Sequence, residues 1–342
     1  MYKRRPSRRL AFPLTELGCS LHALGRHALW VGAGVLGLEP GDEVLVPAYH
    51  HGSEVEALVR RGACCRFYEA NTTLEPDPDE LETLLSERTR ALLVIHYLGF
   101  SQDARRWRRW CEDRGMVLIE DVAQGWPGTV GGRPLGSEGH MSIFCLYKTF
   151  GLPDGAALLV ESPGSGAARG AKLGTALLAR RHLAWIRSRS TAVARALPWT
   201  PAPADRPDEE LALGDPSLGA SRATTFVLPR VFDPDVAERR RANYSFLLHR
   251  LGNWVPTPFD ALPNGASPFL FPVRAERKDH LLARLAEANI RAVGLWSFAH
   301  PLLPEDRFPG AALRRTIVGL PVHQELRNED LERISAIVAK HA

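Results

Sequence analysis

The chain has 342 residues, of which 45% are hydrophobic and 24% are charged, and its formal net charge at pH 7 is +4. These values are typical of a globular protein that buries one large core and a smaller one, so we expect one or two domains. The positive charge is mild and spread along the chain, which disfavours nucleic-acid binding and suits a small anionic substrate. Because no run of about 18 apolar residues is present, the sequence predicts no membrane-spanning helix.

The cysteines of this chain argue against a structural zinc site and against a disulfide framework. Neither a two-residue CxxC spacing nor a paired His/Cys cluster occurs. Both observations favour a reducing compartment, and we expect the protein in the cytoplasm. The five cysteines are Cys19, Cys64, Cys65, Cys111 and Cys145.

Helical and extended patterns alternate between residues 20 and 162. Hydrophobic periodicity and turn residues predict helices over 21–38, 52–62, 77–86 and 103–115. They predict strands over 43–47, 64–68, 91–97, 116–121, 142–147 and 156–161. This order indicates an α/β fold with a mainly parallel sheet and helices on both faces. In such sheets, ligands bind beyond the carboxyl ends of the strands.

The character of the sequence changes after residue 162. A basic amphipathic helix is predicted over 171–196, and several prolines then break regular structure. From residue 233 the pattern indicates a small α+β unit, with helices near 235–252, 278–289 and 328–341 and extended stretches near 268–274 and 291–296. We therefore predict a large domain over 1–232, with a divergent segment at 163–232, and a small domain over 233–342.

Two predicted strands end in side chains that could work together in catalysis. The first ends in Glu120 and Asp121, and the second is followed by Lys148. A carboxylate and an amine at the carboxyl edge of one parallel sheet are what a pyridoxal phosphate enzyme needs, because the lysine binds the cofactor and the anion keeps its pyridine nitrogen protonated. Taken alone, Lys148 would more readily be interpreted as an exposed loop lysine, and Asp121 could be only a helix N-cap.

Six short motifs follow one another along the chain: Gly25-Arg26-His27-Ala28-Leu29, Gly41-Asp42-Glu43-Val44-Leu45-Val46-Pro47, Ile119-Glu120-Asp121-Val122-Ala123-Gln124, Tyr147-Lys148, Asp154-Gly155-Ala156-Ala157 and Leu320-Pro321-Val322-His323. In order and spacing they resemble the DegT/DnrJ/EryC1/StrS family of sugar aminotransferases, and the resemblance covers two thirds or more of the chain. It implies a fold-type I pyridoxal phosphate enzyme, with a mainly parallel sheet and a smaller C-terminal α+β domain.

The resemblance implies roles for four residues around the cofactor. Lys148 would bind pyridoxal phosphate covalently and move the proton at the substrate carbon, with a pKa lowered by burial beside the cationic ring. Asp121 would pair with the pyridine nitrogen, and Gln124 would hydrogen-bond the phenolic oxygen. His51 stands where the family places a flat side chain stacked on the ring. A metal site at 49–51 is disfavoured, because consecutive residues of an extended segment point to opposite sides.

The phosphate site departs from the family pattern. The backbone amides of Gly25 and Arg26 can bind phosphate at a helix N-terminus, but Leu24 stands where a serine usually precedes this glycine. Cys145 replaces an expected phosphate-binding serine. Of the Asn-Tyr-Arg motif that a partner subunit normally contributes, only Arg222 remains. The resemblance thus implies a homodimer with sites near the subunit interface, in which phosphate affinity relies on arginine.

These observations predict an aminotransferase that moves an amino group from an amino acid, with glutamate as the expected donor, to a keto sugar. The resemblance implies a nucleotide-linked acceptor and a place in polysaccharide or natural-product biosynthesis. One alternative uses the same cofactor for dehydration or another elimination, although Lys148 disfavours the branch that replaces this lysine by histidine. The other is a degenerate, non-catalytic family member that acts as a pathway partner.

The predicted basic helix over 171–196 leaves further interpretations open. Simple packing of its amphipathic face is the most economical. It could also contact a nucleotide diphosphate, cover the dimer interface, or lie peripherally on an anionic membrane.

Overall fold

A computed structural model of the protein describes residues 10–69, 73–161, 182, 183, 185 and 210–342. Its first part alternates strands and helices, as the sequence predicts. In chain order these are β1 (Cys19–His22), α1 (Gly25–Val35), β2 (Glu43–Pro47), α2 (Ser53–Arg61), β3 (Cys64–Tyr68), α3 (Pro78–Leu84), β4 (Thr89–Ile95), α4 (Ala104–Glu112), β5 (Val117–Asp121), β6 (Thr129–Val130), β7 (Arg133–Pro134), β8 (Met141–Cys145), α5 (Leu146–Thr149) and β9 (Ala156–Val160).

The large sheet has seven strands in the order β1-β9-β8-β5-β4-β2-β3. The strands from β8 to β3 are parallel, whereas β9 is antiparallel to both of its neighbours, so β1 and β8 run in the same direction. Every strand of this sheet except β9 therefore ends at the same edge. The predicted α/β class with a mainly parallel sheet is confirmed.

Helices cover both faces of this sheet, because successive side chains of a strand point to opposite sides. Leu93 of β4 packs in one apolar core with Leu29 of α1 and Leu58 of α2. The adjacent Leu92 packs in another core with Trp107 of α4. This two-sided burial explains why β4 is apolar along most of its length.

Local sequence fixes the ends of the helices near the sheet edge. Gly52 and Gly62 flank α2 with φ angles of 105° and 98°, in the left-handed region that glycine adopts without steric cost. Asp103 caps α4 by accepting a hydrogen bond from the backbone N–H of Arg106. The N-terminus of α1 has no side-chain cap, since Leu24 occupies the N-cap position.

Three sequence-based boundaries are wrong. The helix predicted to begin at Leu21 begins at Gly25, because Cys19–His22 form β1 and pair with β9. The strand predicted over 142–147 ends at Cys145, and the chain continues directly into the one-turn helix α5. The extended stretch predicted over 291–296 contains only the two-residue strand Val293–Gly294.

The C-terminal part is α+β, as the sequence predicts. Its three-stranded antiparallel sheet has the order β10 (Leu270–Arg274), β12 (Ile317–Pro321) and β11 (Val293–Gly294), and β12 was missed by the sequence analysis. The domain boundary at 232 stays a prediction. The elements are α6 (Arg222–Val231), α7 (Val236–Leu251), β10 (Leu270–Arg274), α8 (Lys278–Glu287), β11 (Val293–Gly294), β12 (Ile317–Pro321) and α9 (Asn328–His341).

The helix predicted over 171–196 lies outside the described residues, apart from helical residues at His182, Leu183 and Trp185. Its role and the expected cytoplasmic location stay predictions. Within the described ranges, none of the helices combines the length and apolar character needed to cross a membrane.

Close packing of α1 on the sheet makes Gly32 a sensitive position. A Cβ atom there would overlap Met141 Sδ and lie 2.7 Å from Leu158 Cδ1. We expect Gly32→Ala to lower the free energy of unfolding by about 1–3 kcal/mol, measured by urea denaturation, because the core must shift to accept the methyl group. Gly252→Ala is the control, since a Cβ at Gly252 meets nothing within 4 Å. Equal stability of the two variants would contradict this packing.

Candidate active site

A cavity of about 310 Å³ lies at the edge where the parallel strands end. Seven of the eight residues predicted to bind a cofactor line it, and Arg222 does not. The sheet thus brings together residues that lie up to 123 positions apart in the sequence, from Gly25 to Lys148. The lining residues are Leu24, Gly25, Arg26, Leu29, His51, Ser53, Glu54, Asp121, Ala123, Gln124, Ile143, Cys145, Tyr147, Lys148 and Glu210.

Lys148 is carried by the one-turn helix α5, directly after β8. Its Nζ atom lies 5.5 Å from the centroid of the Phe269 ring, which forms part of the wall beside it. The lysine is therefore not on a loose loop, as the alternative interpretation of the sequence would have it. Its place in this helix, directly after a buried strand, restricts the directions in which its side chain can extend.

Asp121 is the last residue of β5 and is buried at the base of the cavity. Its Oδ1 atom accepts a hydrogen bond of 2.8 Å from the backbone N–H of Ala123. Burial, together with the negative charge of Glu54, raises its pKa to about 6, and the nearby Lys148 ammonium offsets only part of this shift. The group is therefore predominantly a carboxylate at neutral pH.

Glu120, the neighbour of Asp121 on β5, points to the other face and is fully enclosed in hydrogen bonds. Its carboxylate accepts from three backbone N–H groups of the segment 136–139 and from His96 Nε2 at 2.8 Å. His96 Nδ1 accepts from the backbone N–H of Gln102 at 3.0 Å, so the ring proton resides on Nε2. This network ties the end of β5 to the end of β4 and to the segment that leads into β8.

The electrostatics of Lys148 differ from the sequence-based expectation of a lowered pKa. Burial alone lowers the pKa of this amine, but the surrounding groups that can carry negative charge, Cys145, Tyr147, Asp121 and Glu54, outweigh burial and raise it. The expectation assumed a cationic ring beside the lysine. Without that cation, these neighbouring groups, with Cys145 and Tyr147 first and the two carboxylates after them, favour the ammonium form of Lys148.

Glu54 is a cavity residue that the sequence analysis missed. Burial acts to raise its pKa, but the imidazoles of His51 and His50 and nearby N–H donors outweigh burial and lower it. Its Oε1 atom accepts from the backbone N–H of His51 at 3.0 Å, and its Oε2 atom from Ser53 Oγ at 3.2 Å. In the sequence, Glu54 looks like an ordinary acidic residue in the first turn of a helix. Only its position at the sheet edge could have identified it.

Gln124 presents an amide donor to the cavity. Its Oε1 atom accepts a hydrogen bond of 3.0 Å from the backbone N–H of Leu98, which can only donate. The amide oxygen is therefore fixed away from the ligand space. The Nε2 group remains for a ligand oxygen, which agrees with the acceptor that the resemblance implies at this place.

His51 lies on the opposite wall from β5 and is held at both ring nitrogens. Nδ1 lies 3.2 Å from Ser53 Oγ, and Nε2 lies 3.6 Å from Glu210 Oε2. Arg26 in turn donates to the backbone oxygen of Glu210. Glu210 is a second cavity residue absent from the sequence-based set, because its stretch of chain carries no periodic pattern.

The N-terminus of α1 faces the same cavity through Gly25 and Arg26. A Cβ atom on Gly25 would lie 2.7 Å from Cys145 Sγ, so any larger residue would push against β8. Glycine thus allows the helix end to approach the strand closely. An uncapped helix N-terminus with its N–H groups at a cavity is a favourable place for an anion.

Arg222 is placed elsewhere by the structure. It is exposed at the first position of α6 and does not line the cavity of its own chain. The preceding Ser221 is anchored to Asp154, whose Oδ1 accepts from the Ser221 backbone N–H at 3.1 Å. The Ser221 backbone is therefore fixed to the loop before β9, and a role for Arg222 in cofactor binding would need a second chain.

A larger cavity of about 870 Å³ adjoins the first through His51, Gln124, Lys148 and Glu210. Phe269, Leu270, Leu282, Ala286 and residues 289–298 form its remaining walls. These walls are mainly apolar, with Arg291 as the cation among them. A ligand of sugar size could thus reach Lys148 from this side.

The mutual effect of Glu54 and Asp121 can be tested by removing one charge. We expect Glu54→Gln to lower the pKa of Asp121 from about 6 toward its ordinary value. A carboxyl-detected NMR titration would measure it. Glu56→Gln is the control, because Glu56 pairs instead with Arg60 and His300. An unchanged Asp121 pKa in Glu54→Gln would contradict the coupling.

The raised pKa of Asp121 also affects the free energy of unfolding. The folded-state pKa of Asp121 lies above its ordinary value of 3.8, so ionising it costs folding free energy that appears as the pH rises from 3.8 and is complete above about 6. Asp121→Asn should therefore stabilise the protein by about 3 kcal/mol near pH 8 and by little near pH 4. Thermal unfolding at the two pH values measures this difference, and a gain that did not depend on pH would contradict the shift.

Comparison with known proteins finds similarity over part of this chain. Residues 22–165 match the model of the DegT/DnrJ/EryC1/StrS aminotransferase family. A stretch of 139 residues is 29% identical to GDP-perosamine synthase from Vibrio cholerae, and 145 residues are 32% identical to dTDP-3-amino-3,4,6-trideoxy-alpha-D-glucose transaminase from Streptomyces venezuelae. These stretches cover 40% and 41% of this chain and 38% of each relative, so well under half of either relative is matched.

Likeness of fold extends further along the chain. The structure of the aminotransferase TlmJ from Streptoalloteichus hindustanus matches with a TM-score of 0.67, over 94% of this chain and 84% of that chain, at 24% sequence identity. Identity at this level shows a common fold and leaves activity to be argued from the site. The family match and the fold agree with the motifs found in the sequence. Residues 22–165 are therefore similar to the DegT/DnrJ/EryC1/StrS aminotransferase family.

Proposed function

We propose that this protein is a pyridoxal phosphate-dependent aminotransferase that transfers an amino group from glutamate to a keto sugar. The observation that carries the proposal is the meeting of Lys148, Asp121 and Gln124 in one cavity at the carboxyl edge of the sheet. These residues supply a nucleophilic amine, an anion and an amide donor. The named relatives, which include a perosamine synthase and an amino-sugar transaminase, agree with this reaction.

The residues present fit pyridoxal phosphate on the evidence of their donors and charges. The uncapped N-terminus of α1 would hold the phosphate, with Gly25 leaving room beside Cys145. Asp121 keeps its Oδ2 atom for the pyridine nitrogen, because Oδ1 is engaged with Ala123. Gln124 would donate to the phenolic oxygen, and His51 would lie against the ring. When bound, the cofactor supplies the electron sink for deprotonation at the substrate carbon.

Lys148 and Asp121 would perform the chemical steps that belong to the protein. Lys148 must lose a proton before it can attack, and its raised pKa makes this unfavourable until a cation enters the cavity. Asp121 would hold such a cation at the ring nitrogen, and its positive charge would lower the pKa of the Lys148 amine. Lys148 would then act as the general base that moves the proton at the donor carbon. Asp121 would keep the ring nitrogen protonated throughout.

The acceptor would enter through the larger cavity. It joins the cofactor site at Lys148 and Gln124, so a ligand there would reach the amine that moves the proton. Trp296 and Phe269 on its walls can pack against a sugar ring and exclude water. Arg291 is the group on this wall that could attract a phosphate of a nucleotide-linked substrate.

We further propose a homodimer in which Arg222 reaches the phosphate site of the partner subunit. In one chain Arg222 is exposed and lies away from the cavity. The resemblance places an arginine from the partner at this phosphate site. The anchoring of Ser221 to Asp154 would give Arg222 a fixed base from which to reach across.

The central prediction concerns Lys148. Wild-type protein with pyridoxal phosphate should show an absorption band of lysine-bound cofactor, and L-glutamate should convert this band to that of the amine form of the cofactor. Lys148→Ala should lose the lysine-bound band, because the other lysines among the described residues, Lys278 and Lys340, do not line the cavity. Absorption spectra before and after adding glutamate measure both effects.

Each alternative outcome has a distinct meaning. A bound cofactor that glutamate leaves unchanged would favour another amino donor or elimination chemistry. Absence of any lysine-bound cofactor in the wild type would contradict the proposed activity and favour a non-catalytic family member. Circular dichroism of Lys148→Ala is the control that its fold is retained.

Mixed dimers test the role of Arg222. Lys148→Ala and Arg222→Ala homodimers should each be almost inactive, because each lacks one group at both sites. After subunit exchange, a heterodimer would regain one complete site, and the mixture should reach about one quarter of wild-type activity. Transaminase activity before and after mixing measures the recovery. If Arg222 served its own subunit, mixing would restore nothing.

A further inference from the structure

Arg240 of α7 reaches from the C-terminal part of the chain to the backbone of α5, the one-turn helix that carries Lys148. Its Nη2 group donates to the carbonyl oxygens of Lys148 at 3.2 Å and of Thr149 at 3.0 Å. These are the last two carbonyls of α5, which have no partner within so short a helix. A guanidinium at this end of the helix meets both the hydrogen-bonding need and the helix dipole.

The same guanidinium also holds the two neighbouring walls. Its Nη1 group donates to the carbonyl oxygen of Pro268 at 3.3 Å, and its Nε to Gln324 Oε1 at 3.0 Å. Gln324 in turn donates from Nε2 to the carbonyl oxygen of Thr149 at 3.1 Å. Pro268 precedes Phe269, whose ring lies 5.5 Å from Lys148 Nζ. One side chain thus fixes the lysine turn relative to the aromatic wall beside the amine.

Burying the charged side chain of Arg240 costs free energy, so its presence here indicates a specific role. Only 2% of Arg240 is exposed, and its four acceptors are all neutral groups. Burial lowers its pKa to about 10, which still leaves it charged at neutral pH. A buried cation whose acceptors are all neutral contributes less to stability than an apolar residue could. Its directional hydrogen bonds are the property that an apolar residue could not supply.

We propose that Arg240, with Gln324, is a positioning residue that fixes the turn carrying Lys148 so that its amine points into the cavity. The inference rests on the proposed role of Lys148 in binding pyridoxal phosphate. Arg240 itself touches neither cofactor nor substrate, since it does not line the cavity. It acts through the backbone of Lys148 and Thr149. Its loss would allow the turn to fray and the amine to sample unproductive directions.

Arg240→Lys is the principal test, because it keeps the charge and loses the planar fork of donors. We expect at least a tenfold slower covalent attachment of pyridoxal phosphate to Lys148. Borohydride trapping followed by peptide mass spectrometry measures the attachment site by site, which the five lysines of this chain make simple. Arg239→Lys is the matched control, because Arg239 is the adjacent residue on α7, is exposed and pairs with Asp233.

Amide hydrogen exchange gives a second readout that needs no cofactor. The backbone N–H of Phe150 donates to the carbonyl oxygen of Leu146 at 3.0 Å and closes the α5 turn. In Arg240→Lys, exchange in the peptide over 146–150 should become at least tenfold faster, while peptides over 117–121 stay protected. Gln324→Leu should produce a smaller change in the same peptide. Because both residues hold the Thr149 carbonyl, the double variant should show less than the sum of the two effects.

The outcomes separate positioning from simple stabilisation. A variant with a lower Tm but wild-type attachment rate and wild-type exchange over 146–150 would overturn the proposal. Failure of the wild type to attach pyridoxal phosphate at Lys148 would instead overturn the proposed function. In that case the exchange measurement still decides whether Arg240 holds the turn. Unchanged exchange would overturn the positioning role by itself.

Discussion

The buried carboxylate of Glu120 holds together the three segments on which the candidate site depends. It accepts hydrogen bonds from His96 at the end of β4 and from backbone N–H groups over 136–139, just before β8. A carboxylate at 1% exposure is tolerable because several donors replace the water it has lost. Removing any donor would leave a buried charge underbonded. The network therefore fixes the spacing between β5, which carries Asp121, and β8, which leads into the one-turn helix of Lys148.

Strand geometry gives the two adjacent acids of β5 different surroundings. Glu120 and Asp121 follow each other on β5, so their side chains point to opposite faces of the sheet. Glu120 is saturated by its donors and can only be structural. Asp121 receives one backbone hydrogen bond and keeps its other oxygen for the cavity. Two chemically similar residues therefore take different roles because the strand exposes them to different surroundings.

The charges of the cavity are unbalanced in a way that favours a cationic ring. Asp121, Glu54 and Glu210 face it as acids, whereas Lys148 and Arg26 face it as bases. Burial and the second carboxylate make ionised Asp121 unfavourable, and the same acids hold the proton on Lys148. A pyridinium bound at Asp121 would make the ionised form of Asp121 less unfavourable, and it would lower the pKa of Lys148. Cofactor binding and lysine activation would thus be coupled through the electrostatics of one cavity.

The sequence predicts the parts of this site whose signals are local. Two apolar runs predict the strands β5 and β8, and the site residues Asp121, Gln124 and Lys148 lie at or just after the ends of these strands. Most strands of the large sheet also lie where the hydrophobic periodicity predicts them. The prediction fails at β1, because Cys19–His22 is a strand only through its pairing with β9, more than 130 residues away. The helical pattern that follows from Leu21 favours helix locally, and tertiary pairing overrides that preference.

For the same reason, the sequence alone could not identify residues whose roles depend on long-range contacts. Nothing near Glu54 distinguishes it from other acidic residues at helix starts, and its importance comes only from lying opposite Asp121. In the sequence, Arg240 looks the same as the arginines on either side of it in an Arg-Arg-Arg run. Its contacts to Lys148 and Thr149 cross about 90 residues of sequence. A single sequence offers no periodicity that reports such contacts.

These contacts bear on how the C-terminal part can move. Besides the Arg240 hydrogen bonds, the ring of Phe100 packs on Tyr244 at 5.6 Å and on Phe259 at 5.0 Å. Tyr244 and Phe271 belong to the same apolar core as β2 and β4 of the large sheet. A rigid-body opening along the predicted boundary at 232 would expose this aromatic contact and break the bonds to the lysine turn. The larger cavity, with its walls around 289–298, already reaches Lys148, so access to the lysine does not require such an opening.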